Sequence, residues 1–285
     1  MADDISAPTF NRLSVSPLTC TIGAEIEGVD LREALSDEVI AEIRRALVTW
    51  KVIFFRDQDV TQAQHIAFGR RFGEVEVHPA ARDGSANPEI LRLHTGPDLR
   101  GQADAWHSDV SWRERPPLGS ILIGRVIPEV GGDTLFSDMV AAYEGLSPAM
   151  KAWVCTLICR HDAVTHARQQ GKTLEEFQKE FPAPEHPVVR TLPETGQRAL
   201  YVNRGVVAKR ILGLSPKESD WLVEHLSAQA SNPEYQCRFR WRKNSIAFWH
   251  DASCQHFGTA NYFPAVRQME RVTVMGDKPF FDPDR

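Results

Sequence analysis

The chain has 285 residues, of which 42% are hydrophobic and 25% charged, with a formal net charge of −5 at pH 7. That is enough chain for a substantial core and an ordinary soluble, globular composition. No block of Lys/Arg and no apolar stretch of membrane-spanning length occurs, so nucleic acid and membrane are excluded as expected partners.

Residues 1–17 read as a loose leader, and residues 18–285 as one domain. Ser36 caps a predicted helix running to about Trp50, with Val39, Ile40, Ile43, Leu47 and Trp50 on one face. Lys51 to Phe55 is a short β-branched and aromatic run, hence a strand. Thr61 and Gln64 have capping-box spacing ahead of a second helix ending near Phe72. Ser147-Pro148 places a cap and a first-turn proline before a helix expected to bury Met150, Trp153, Val154 and Leu157. Val188–Leu192 and Arg198–Val202 flank Pro193-Glu194-Thr195-Gly196 as a predicted hairpin. Ser215-Pro216 opens a helix carrying Leu222 and Leu226. Tyr235–Trp241, Ser245–Trp249 and Met269–Met275 read as strands, with a turn at Lys243-Asn244.

Many short strands with a few helices predict a mainly β fold, a jelly roll decorated with peripheral helices. Two long irregular stretches, 78–105 and 163–186, are expected to act as lids, because loops of that length in a compact domain are usually functional. The five cysteines (Cys20, Cys155, Cys159, Cys237 and Cys254) are odd in number and show no C-x-x-C spacing, so buried free thiols are expected. Met1-Ala2-Asp3-Asp4 lacks the apolar segment of a signal peptide, and the expected location is the cytoplasm.

Among ten histidines a lone one is more often structural than functional. His107-Ser108-Asp109 is different, because residues i and i+2 on a strand point to the same face. An imidazole and a carboxylate are thereby aimed at one point, and His256, just beyond the strand ending at Trp249, offers a third ligand. Two histidines and one carboxylate leave coordination positions open, which suits non-haem iron(II). The same ligands also suit zinc.

The text around these ligands adds further motifs. Trp106 to Trp112, Gly131-Gly132-Asp133-Thr134-Leu135-Phe136, Gln255-His256-Phe257-Gly258 to Tyr262, and Arg267 to Arg271 together resemble the family of taurine and phenoxyacetate dioxygenases. The resemblance extends from about Leu18 to Phe281, including Gly23-Ala24-Glu25-Ile26 and Gly276-Asp277-Lys278-Pro279-Phe280. It implies iron(II) held by His107, Asp109 and His256, with dioxygen and 2-oxoglutarate as co-substrates. It also implies that Thr134 and Arg267 hold the distal carboxylate of 2-oxoglutarate, a role a guanidinium and a hydroxyl can fill. By the same resemblance Arg271 reaches the acidic group of a small anionic substrate, and His78, Val110 and Val206 line the substrate pocket. A homodimer or homotetramer is expected by family analogy alone.

Several positions depart from the taurine enzymes. Ala81, Ala103 and Val206 stand where those enzymes carry tyrosine, asparagine and phenylalanine, and Ala167 replaces another phenylalanine. The expected pocket is roomier and more apolar, suited to an alkyl sulfate, sulfonate or aryl or alkyl carboxylic acid bulkier than taurine. Trp249-His250-Asp251 replaces the usual tryptophan, aspartate, asparagine. That change predicts altered hydrogen bonding around the ligands, not a new ligand. The alternatives are a taurine dioxygenase proper, a zinc-dependent hydrolase or isomerase on the same ligands, and a non-catalytic jelly roll. The zinc reading lacks an evident general base such as the glutamate of H-E-x-x-H.

Overall fold

The computed structural model describes residues 9–77, 86–101, 105–169, 171–203 and 208–285. Its strands are β1 (Ser14–Pro17), β2 (Ala24–Glu27), β3 (Val52–Phe55), β4 (Leu91–Thr95), β5 (Pro117–Val126), β6 (Thr134–Asp138), β7 (Ile158–His161), β8 (Glu185–Pro187), β9 (Val189–Thr191), β10 (Arg198–Leu200), β11 (Ala208–Ile211), β12 (Gln236–Phe239), β13 (Ile246–His250), β14 (Cys254–Gly258) and β15 (Arg267–Met275). The helices are α1 (Asp37–Trp50), α2 (Gln62–Arg70), α3 (Met139–Glu144), α4 (Pro148–Val154), α5 (Val164–Gln169), α6 (Leu174–Glu180) and α7 (Pro216–Ala228).

A seven-stranded sheet runs in the order β1-β2-β3-β13-β5-β15-β4, and a three-stranded sheet in the order β12-β6-β14. Alternation along the strands assigns their faces. Ile53, Phe55, Ile123, Ile246 and Phe248 belong to one apolar cluster with Ile43 and Leu47 of α1 and Phe68 of α2. Their neighbours Val52, Phe54, Leu122, Ala247 and Trp249 belong to a second cluster with Phe136 of β6 and Phe239 of β12. Phe54 stacks on Phe239 with centroids 4.0 Å apart and planes 7° apart. The second cluster fills the space between the two sheets. This is the jelly-roll core with helices on its outer face that the strand pattern predicts.

Local signals hold closely. Ser36 caps α1 by accepting from Val39 N, and the Thr61–Gln64 capping box opens α2. Two expectations are corrected. Ser14–Pro17, counted in the loose leader, forms β1 paired antiparallel with β2; the turn between them is closed by the bond from Leu18 N to Gly23 O at 2.8 Å. The helix after Ser147 ends at Val154, its one buried residue, and leaves Trp153 39% exposed. The cysteines are free, with Cys159, Cys237 and Cys254 buried but Cys20 exposed. Among the described residues no helix is long and apolar enough to cross a membrane.

Candidate active site

His107, Asp109 and His256 converge: one ligand atom from each lies within 4.8 Å of the other two. The means differ from the expected strand. His107 makes an isolated antiparallel bridge to His256, with His107 N to His256 O at 3.2 Å and His256 N to His107 O at 2.9 Å. Asp109 then lies in a turn, and Val110 follows with φ +49°. A β-branched residue in the left-handed region is unusual and signals backbone strain at a functional position. The turn swings the carboxylate back towards the bridge, so that Asp109 Oδ1 is 4.0 Å from His107 Nε2.

The three side chains fit a metal. The Nδ1 of His107 lies 2.8 Å from the Ala105 carbonyl, so it donates there and Nε2 presents its lone pair. His256 has a buried Nδ1 with no partner in the protein. Burial, reinforced by neighbouring His107, pushes the His256 pKa down to about 3, leaving a neutral imidazole able to ligate. Burial alone would raise the Asp109 pKa, but the Arg271 guanidinium beside it holds it well below the ordinary carboxylate value.

Around Asp109 lies a buried set of polar groups. Arg271 Nη1 donates to Oδ1 at 2.7 Å and Ser120 Oγ to Oδ2 at 2.8 Å. The Asp109 backbone N–H donates to Asp251 Oδ1 at 3.0 Å, as does Trp249 Nε1 at 3.1 Å. Ser120 Oγ is also 3.3 Å from Asp251 Oδ2. Burial and the Asp109 charge beside it raise the Asp251 pKa. His250 is no ligand: its Nδ1 meets Ser253 Oγ at 2.8 Å and its Nε2 lies 3.7 Å from Glu194.

Thr134, on β6, shares an inward face with Phe136, the register partner of His256. Trp241 Nε1 donates to Thr134 Oγ1 at 3.0 Å. Arg267 opens β15, its guanidinium 6.0 Å from the Trp241 ring centroid and 5.9 Å from that of Tyr262. Gly132, at φ +71°, makes room for it: a Cβ there would stand 3.2 Å from Arg267 Cδ. Arg267, Met269 and Arg271 alternate along β15, and Met269 is buried in the core between the sheets, so both arginines share that inward face. They are about 13 Å apart along the strand.

Val110 is buried in a cluster with Trp112, Ala163, Ala167 and Phe177. Ala167, expected to open space, is instead closely packed at 1% exposure. His78, Ala81, Ala103 and Val206 lie outside the described residues. A cavity of about 830 Å³ opens beside Trp112, Phe181 and Met275, but no metal ligand lines it. Ser120 and Trp241 touch the candidate site without having been singled out in the sequence, where their only signal is a polar or indole group beside apolar text.

The chain matches the family "Taurine catabolism dioxygenase TauD, TfdA family" over residues 14–273. An alpha-ketoglutarate-dependent sulfate ester dioxygenase of Pseudomonas putida is 34% identical, covering 96% of this chain and 93% of its own. An alkylsulfatase of Acinetobacter baylyi is 32% identical, covering 97% of this chain and 89% of its own. Among solved structures, a taurine dioxygenase from Burkholderia xenovorans superposes with a TM-score of 0.83 at 36% identity, covering 96% of this chain and 94% of that one.

Proposed function

Because the chain belongs to the taurine catabolism dioxygenase TauD, TfdA family, we propose that it is an iron(II)- and 2-oxoglutarate-dependent dioxygenase that hydroxylates a C–H bond of a small anionic organic substrate. The convergence of His107, Asp109 and His256 within 4.8 Å carries this reading. The bound metal, 2-oxoglutarate and dioxygen supply the oxidising power: one oxygen atom enters the substrate C–H bond, the other enters succinate, and carbon dioxide leaves.

The chain's own residues bind and orient. Arg267 and Thr134 hold the far carboxylate of 2-oxoglutarate, the guanidinium by paired N–H donors and the hydroxyl by one more. Trp241 occupies a lone pair of Thr134 Oγ1, which leaves the Thr134 proton to point at that carboxylate. Arg271 takes the substrate anion, and its Nε is buried without a partner. Val110 and Trp112 form an apolar floor that helps keep water out.

Sulfate esters are the favoured substrate class, since the sulfate ester dioxygenase and the alkylsulfatase both match over nearly the whole chain. Hydroxylation at the carbon bearing the ester oxygen gives a product that collapses to an aldehyde and inorganic sulfate. Taurine is the second reading, favoured by the similarity to the taurine dioxygenase structure.

Two measurements test the proposal. Anaerobic iron(II) with 2-oxoglutarate should give a visible charge-transfer band, absent with zinc and lost in His107→Ala. A panel of alkyl sulfates, sulfonates and aryloxy acids, read by succinate release, should show an alkyl sulfate as best substrate. Absence of both the band and succinate release sinks the oxygenase reading; taurine as the best substrate sinks the sulfate ester assignment alone.

A further inference from the structure

Ser111 lies two residues beyond Asp109 and is fully buried. Side chains from three separate segments converge on it. His161 Nδ1 is 3.1 Å from its hydroxyl, and Asn203 Nδ2 donates to the same oxygen at 3.3 Å. His186 Nε2 donates to its carbonyl at 3.0 Å and to that of Arg113 at 3.0 Å. All three partners are buried to within 1% of full burial. The rings of His161 and His186 are 5.0 Å apart, and Tyr201 stacks on His161 at 5.6 Å.

The places these partners occupy in the chain give the convergence its meaning. His161 ends β7, where the chain departs into the stretch 163–186; His186 lies in β8, where it returns. β7 and β8 are antiparallel neighbours, with Cys159 opposite His186, and His161 N donates to Pro184 O at 2.9 Å. The stretch between them carries Ala163, Ala167 and Phe177, which pack with Val110 and Trp112, the two neighbours of Ser111. Phe177 and Phe181 each meet the Trp112 ring edge-on at 5.2 and 5.1 Å. One residue therefore joins the metal-ligand turn to both ends of the segment that covers it.

We propose that Ser111 is a positioning residue: through His161, His186 and Asn203 it sets where the covering segment 163–186 sits over the metal ligands, and so sets binding of the organic substrate. Hydrogen bonds are directional, and a buried hydroxyl serving two segments transmits a displacement of either one to its own backbone. The inference rests on the dioxygenase reading for its kinetic arm alone.

The test compares Ser111→Ala and the pair His161→Asn and His161→Phe with wild type. Asparagine can reproduce the Nδ1 contact and phenylalanine cannot. With an alkyl sulfate as probe, Ser111→Ala and His161→Phe should raise its KM about tenfold and release succinate in excess of hydroxylated product. The KM for 2-oxoglutarate and the calorimetric affinity for iron(II) should stay within about twofold, and His161→Asn should behave as wild type. Limited proteolysis within 163–186 should speed up about tenfold relative to cleavage elsewhere. Unchanged substrate KM, coupling and proteolysis overturn the proposal. So does a joint loss of all constants together with thermal stability, which would mark a general structural role. If the wild type releases no succinate, the dioxygenase reading fails and the proteolysis arm still decides. Should Ser111→Ala not fold, His186→Gln against His186→Phe replaces it with the same expectations.

Discussion

Arg271 Nη1 stands 2.7 Å from Asp109 Oδ1, so the cation expected to hold the substrate also touches the carboxylate expected to hold the metal. The guanidinium keeps Asp109 ionised and ready to ligate. Its Nε is buried without a hydrogen-bond partner in the protein, and the proposed function gives that donor to the incoming anion. Replacing it should therefore strike organic-substrate binding far more than co-substrate binding. Arg271→Gln is expected to raise KM for the organic anion about 10- to 100-fold, the range of lost charge-assisted hydrogen bonds, with KM for 2-oxoglutarate little changed. Steady-state kinetics with each substrate varied in turn checks this.

The opposite split is expected at the other end of β15. Trp241 touches Thr134 directly and lies beneath Arg267. Trp241→Phe removes the indole donor and keeps most of the packing. KM for 2-oxoglutarate should rise about three- to tenfold, while KM for the organic substrate holds. Equal shifts in both constants would show that Trp241 does not act on the co-substrate.

Asp251 is buried beside the Asp109 carboxylate, whose charge, with burial, raises its pKa, and its Oδ1 accepts from Asp109 N and Trp249 Nε1. An amide keeps that acceptor and carries no charge. Asp251→Asn should therefore keep activity and stability close to wild type. Asp251→Ala leaves the Asp109 N–H and Trp249 Nε1 without acceptors and should cost about 2 kcal/mol or more, read from urea unfolding midpoints at pH 7.

His65 gives the chain a defined acid sensitivity. It is buried against β5, its Nε2 donating to Ile121 O at 3.0 Å, and burial pushes its pKa from 6.5 to about 4. The unfolded chain takes up this proton near pH 6.5 and the folded chain does not until about pH 4. Stability is fully present above pH 6.5 and is lost progressively as pH falls towards 4, by about 3 kcal/mol from this group. Urea unfolding of wild type and His65→Gln across pH 7.5 to 4.5 checks it. The gap in favour of wild type should narrow as pH falls; a constant gap removes His65 as the cause.

These residues also show what a sequence discloses. The caps at Ser36 and Thr61 and the alternation along β3 and β13 are local, and physical rules read them directly. The convergence of His107, Asp109 and His256 was legible because their motifs resemble a known family, and the roles proposed for the arginines of β15 come from the same resemblance. Neither spacing nor resemblance revealed that Val110 turns the chain into the left-handed region, because φ there answers to tertiary packing. Nor could they reveal Ser111, whose partners lie 50, 75 and 92 positions away. Ala167 differs: a small residue suggested open space, but it is buried in a cluster with Ala163 and Phe177 of its own segment and with Val110 and Trp112.

The 5.0 Å between the His161 and His186 rings has a further consequence for how this chain can vary. The stretch between them leaves and rejoins the body at one point, so the scaffold already holds its ends together. Loop-closure entropy grows only with the logarithm of length, and doubling such a loop costs about 0.6 kcal/mol. Insertions, deletions and whole-segment grafts between residues 163 and 184 should therefore leave the jelly roll intact. Such exchanges should hold their place on the Ser111 turn only where they keep the apolar residues that pack there, Ala163, Ala167 and Phe177.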